Sequence, residues 1–107
     1  MKGTGLIFRP DTQKPEVVNF DEPVDIDYLQ GIVGGYIELV PYFKYILHDG
    51  VVTDCIVFCN EHGKDKKLPF NIEATARWIN VRPREFNDRL VGNVIAVFGD
   101  DEFMESL

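Results

Sequence analysis

Asp49-Gly50 stands between two apolar runs, "YIELVPYFKYIL" and "VVTDCIVFCN", and leaves the chain one local solution there. A two-residue hairpin turn needs positive φ at both central residues. Aspartate tolerates that and glycine adopts it freely, so "LHDGVV" predicts two antiparallel strands joined at this point. Upstream, Ile37, Leu39, Phe43, Tyr45 and Leu47 alternate with Glu38 and Lys44, which predicts one long strand. Pro41 has no N–H for a ladder, so that strand is expected to lie at an edge or to bend there. Downstream, the returning strand is expected to end in "NEHGK", with Gly63 at positive φ.

The remaining elements fit around this pair. "GLIF" and "EVVNF", separated by "RPDTQKP", read as two short strands and a turn. Ile26, Leu29, Ile32 and Val33 follow helical spacing, with Asp25 as N-cap and Gly34 as the left-handed residue closing the helix. A second helix is predicted over Asn71–Asn80, with Asn71 as N-cap, Ile72, Thr75, Ala76 and Ile79 facing inward, and Glu73 paired with Arg77. "VRPREFNDRL" reads as a polar connection with one helical turn from Pro83. "NVIAVF" is apolar on both faces and reads as a buried strand. The prediction is a single α+β domain over residues 1–107. A small mixed sheet of about five strands, in the order β-β-α-β-β-α-β, packs against two helices, and residues 99–107 form an acidic, frayed tail.

At 107 residues with 45% hydrophobic content, such a domain can build a core without metal or disulfide staples. The net charge of −7 argues against direct nucleic-acid binding, which depends on neutralising phosphates. No apolar run approaches the roughly 20 residues that cross a bilayer, and "MKGTGLIFRPD" lacks the features of a signal peptide. A cytoplasmic protein with no membrane association and with Cys55 and Cys59 as free thiols is the expectation. The charge is uneven. Residues 61–90 carry seven basic and five acidic side chains, so an acidic body bears a mildly basic segment.

Within that segment, "GKDKKLPFN" runs into the second helix. Free amide hydrogens at a helix start favour an anion. Lys64, Lys66 and Lys67 lie upstream of it, Arg77 lies one to two turns on, and Trp78 is placed beside the inward stripe with a partly open stacking face. Two readings compete: an anion site, or a cap, solvated lysines and a tryptophan sealing the core edge. The double glycine Gly34-Gly35 divides similarly, between helix closure with a turn into the next strand and, at Gly35, close approach of a ligand or a neighbouring subunit to the backbone. Cys55, Cys59 and His62 form C-x3-C-x2-H. With only His48 as a further nitrogen donor, this reads as buried strand thiols rather than a metal site. No third group orients a Cys–His pair, and the acidic pairs Asp25/Asp27 and Asp100/Asp101 do not converge, so no catalytic residue and no cofactor is assigned.

Three stretches together carry a resemblance: "LQGIVGGYIELVP" (Leu29–Pro41), "CNEHGKDKKLPFNIEATARW" (Cys59–Trp78) and "LVGNVIAVF" (Leu90–Phe98). The chain resembles a family of small phage and bacterial proteins catalogued as a domain of unknown function. "VPYFKYILHDGVV" and "NVRPREFNDR" are longer than in typical members, and Asn93 stands where aspartate is frequent. The resemblance implies a phage-type origin. It points to a small, non-enzymatic, homo-oligomeric binding protein that captures a ligand or a host factor to counter host defence. One version takes an anionic, nucleotide-like ligand through Lys64, Lys66, Lys67, Asn71, Arg77, Trp78 and Gly35. The alternative is an acidic inhibitor of a host protein, possible as a nucleic-acid mimic, acting through the acidic remainder and its C-terminal tail.

Overall fold

The computed structural model describes every residue from Met1 to Leu107. In chain order the elements are β1 (Gly3–Phe8), β2 (Glu16–Phe20), α1 (Ile26–Val33), β3 (Ile37–Leu39), β4 (Tyr45–His48), β5 (Val51–Asp54), β6 (Ile56–Asn60), α2 (Ile72–Ile79), β7 (Val94–Gly99) and α3 (Asp101–Glu105). Five strands form one sheet in the order β2-β1-β7-β6-β3, and β4 and β5 form a separate ribbon. The fold is α+β with a five-stranded main sheet, as the pattern predicts. The sheet is antiparallel throughout rather than mixed, because β7 runs against both of its neighbours, β1 and β6.

The central strands are apolar on both faces because each face is covered. Leu6, Phe8, Val57, Val94, Ala96 and Phe98 point to one side, under Ala74 and Trp78 of α2 and Ile46 of the ribbon. Ile7, Phe58, Ile95 and Val97 point to the other, under Leu29 and Val33 of α1 and Phe103 of α3. Period-two alternation thus feeds two cores, one per face. No helix is long and apolar enough to cross a membrane.

The Asp49-Gly50 turn forms as predicted, with φ of 51° and 77°. The flanking runs do not remain single strands. After Leu39 the chain turns through Pro41 and Tyr42, the latter at φ 63°, so Val40, Phe43 and Ile46 are buried at a spacing of three. Leu39, Tyr45 and Leu47 of the expected inner face are exposed. The returning run breaks at Cys55, where the backbone passes from the ribbon into the main sheet. Gly63 does not adopt positive φ; Lys67 does so instead, at 54°. Gly63 is needed for space, since a Cβ there would lie 2.9 Å from Val91 Cγ2.

The acidic tail is ordered. Asp100 caps α3 by accepting from the Phe103 N–H at 2.9 Å, and its other oxygen accepts from the Lys2 N–H at 2.8 Å. The Phe103 ring fills a slot over the cross-strand pair Gly3–Gly99. A Cβ on Gly3 would collide with the Phe103 ring carbons, and one on Gly99 would lie 2.8 Å from Phe103 Cδ2. This third helix completes the cover of its sheet face.

Candidate functional site

Helix α2 packs with Asn71, Ala74, Thr75 and Trp78 inward, while Ile72, Ala76 and Ile79 of the predicted stripe face solvent. Polar partners explain the choice. Asn71 is completely buried: Oδ1 accepts from the Ala74 N–H, and Nδ2 donates to the carbonyls of Phe8 at 2.9 Å and Gly92 at 2.8 Å. Thr75 Oγ1 accepts from the Leu90 N–H at 3.0 Å. The start of α2 is therefore occupied by its own cap, and Asn71 ties the helix to β1 and to the β7 entry instead of facing a ligand.

Trp78 is 1% exposed, so the expected open stacking face is absent. Its Nε1 donates to the Pro41 carbonyl at 2.8 Å, and the Arg82 guanidinium lies over its ring at 4.6 Å. The remaining candidates are dispersed. Arg77 pairs with Glu73 at 3.0 Å and lies over the Phe8 ring. Lys64 pairs with Asp88. Lys66 reaches toward the C-terminal end of α1, its Nζ 3.4 Å from where a Gly35 Cβ would be. There it meets the negative end of the helix dipole. Lys67 is exposed in its turn.

The two glycines have separate causes. Gly34, at φ 83°, closes α1, as the spacing predicts. Gly35 leaves room for the Asn60 amide, which would meet its Cβ at 3.0 Å. That amide donates to the Val33 carbonyl, and Asn93 Nδ2 donates to the Ile32 carbonyl, so two asparagines satisfy the end of α1. The close approach is made by the protein itself.

Lys64 and the edge of Trp78 meet in a cleft of about 260 Å³ between β3, β6 and the loops at 61–65 and 88–91. Pro41, Leu90 and Val91 contribute apolar walls, and the charged lining is Glu38, Glu61, Asp65 and Asp88 against Lys64 and Arg89. The cleft is thus acidic on balance. Burial works against the Asp88 carboxylate, but hydrogen bonds from Lys64 and the Arg89 amide outweigh it and hold the group below its ordinary range. Burial, reinforced by Asp54, pushes the Cys55 thiol up to about 12. Burial and then Glu38 push Cys59 to about 11. Both stay protonated near neutrality, and a thiol is a poor nucleophile. No three His, Cys, Asp or Glu side chains converge to hold a metal ion.

The other face of the sheet shows what the sequence did not. Phe20 stacks on Phe103 of α3 and meets Tyr28 of α1 edge-on, each at 5.7 Å between centroids. This aromatic seam brings two distant acidic stretches together: Asp21, Glu22, Asp25 and Asp27 with Asp100, Asp101, Glu102 and Glu105, all exposed. Their basic neighbours are the N-terminal amine, 3.4 Å from Glu102, and Lys2. Asp25 and Asp100 serve as caps; Asp21, Glu22, Asp27, Asp101 and Glu105 have no ion-pair partner. Exposed Ile26 and Tyr28 lie in this α1 sector. The sequence offers the acidic remainder and the C-terminal tail as one surface; that the tail converges with Asp21–Asp27 depends on docking α3 through Phe20 and Phe103.

No curated protein sequence and no solved structure matches the chain. A family model does match it, over residues 1–107 and thus over both cores, the cleft and the acidic face. The chain belongs to the family described as Domain of unknown function (DUF3846).

Proposed function

We propose that this protein is a small, non-enzymatic binding protein of phage type that sequesters a basic host protein through its α1–α3 face. The observation that carries the reading is the convergence of eight exposed carboxylates from two ends of the chain around an aromatic seam. Exposed Ile26 and Tyr28 beside these carboxylates give the apolar centre and charged rim usual in a protein interface. A field of one sign also speeds encounter with a partner of the opposite sign. The partner class is a lysine- and arginine-rich protein surface, including one that otherwise holds a nucleic-acid backbone.

The test is binding to an arginine-rich peptide at several salt concentrations. It compares the native chain with D21K/E22K/D101K/E105K, which spares both capping aspartates. Binding should weaken at least about tenfold in the variant and fall with salt in the native chain. A control with E61K/D65K at the cleft should bind as the native chain does. Equal binding by the face variant refutes the reading. A nucleotide that raises Tm in a thermal-shift screen supports the anionic-ligand reading instead.

A further inference from the structure

The β4–β5 ribbon packs only one side against the protein. Ile46 enters the core and His48 meets the Phe98 ring at 5.4 Å, while Tyr45, Leu47 and Val52 project from the opposite side. Leu47 and Val52 are a directly opposed cross-strand pair, and they are 64% and 69% exposed. A two-stranded ribbon is marginal without cover, and an apolar cross-strand pair contributes most when it is shielded from water. Alongside runs a groove of about 220 Å³ between the ribbon and Arg77, Asn80 and Val81 at the end of α2.

We propose that this outer ribbon face is a homodimer interface, covered by the same face of a second copy related by a two-fold axis. Area is the first argument. Tyr45, Leu47 and Val52 together leave on the order of 300 Å² of apolar surface open on this side, a contiguous patch of the size that is often functional.

Charge is the second argument. Two copies of a chain with net charge −7 repel each other. On and beside the ribbon, however, Lys44 and the Arg77–Glu73 pair stand with Asp49 and Asp54, so this surface carries about one of the chain's seven net negative charges. The ribbon lies on the α2 side of the sheet, opposite the α1–α3 face. Joining two ribbons therefore sets the two acidic faces at opposite ends, where they repel least and both stay open. The self-complementary geometry closes on itself and adds no further copies.

Sedimentation velocity and native mass spectrometry of the full chain over micromolar to hundreds of micromolar test this. The native chain should give a species of twice 12.3 kDa. The exposed-site variant L47D/V52D should weaken association by at least about 30-fold, the loss typical of removing an interface anchor, with unchanged Trp78 fluorescence. I72D/I79D, on the exposed stripe of α2, is the control and should dimerise normally. Three results overturn the proposal: a native chain that stays at 12.3 kDa at every concentration, which leaves the ribbon to a different protein; an L47D/V52D variant that still dimerises; or dissociation by the α2 variant alone.

Discussion

Replacing Asn71 by alanine separates a structural role from a ligand role with a large signal. The substitution removes the cap on α2, which costs about 1 kcal/mol. It also leaves the buried carbonyls of Phe8 and Gly92 without their amide donor. At the low end of the range for an orphaned buried group, about 1 kcal/mol each, the total is about 3 kcal/mol. For a domain of this size that is roughly 12–24 °C in Tm, and a large share of a total stability of about 5–15 kcal/mol. The single tryptophan, buried in the adjacent core, reports unfolding in a urea titration. N71D sharpens the test. Its carboxylate can cap but places oxygen against the same two carbonyls, so folding raises its pKa. Stability of N71D should therefore fall as pH rises past the ordinary aspartate range and recover on acidification. An N71A variant within about 1 kcal/mol of the native chain refutes this account of the α2 terminus.

Neither thiol should react with an aromatic disulfide reagent at pH 8 until the chain is unfolded, because burial raises Cys55 to about 12 and Cys59 to about 11; rapid labelling of the folded protein contradicts that burial. The Asp100 carboxylate is held below its ordinary 3.8 by the Phe103 amide and, after a smaller opposing effect of desolvation, by the Lys2 amide. A depressed folded pKa gives stability that is complete above the ordinary value and is lost as pH falls through the folded one. Amide exchange should accordingly show the Phe103 N–H losing protection below about pH 3.8 before the β7 amides do, and simultaneous loss argues against a local acid-sensitive cap.

What the sequence disclosed was local. Asp25 and Asn71 as caps, Gly34 as the left-handed closure and Asp49-Gly50 as the turn all follow from bonds between near neighbours, and each forms as read. What it hid was distant. On α2, Ile72, Ala76 and Ile79 outrank Asn71 in apolarity, so the pattern sets them inward with Thr75; of that stripe only Thr75 is buried, beside Asn71. The polar pair is buried because its partners lie at Phe8, Leu90 and Gly92. Pro41 allowed an edge or a bend, and the bend is held by Trp78, 37 residues away. The basic segment was legible as composition but not as geometry, since Lys64, Lys66 and Arg77 are drawn to three different places. The acidic tail was legible as a surface, but its meeting with Asp21–Asp27 was not, because Phe20 joins the two stretches only in the fold.

The slot beneath Phe103 places an unusual constraint on how this surface can change. Asp101, Glu102 and Glu105 are exposed, so each can be exchanged for another polar side chain with little effect on the core. Gly3 and Gly99 cannot: a single methyl group at Gly3 displaces the ring and unlatches the last helix from the sheet. The most permissive surface of the molecule is thus anchored on two residues that contribute no side chain.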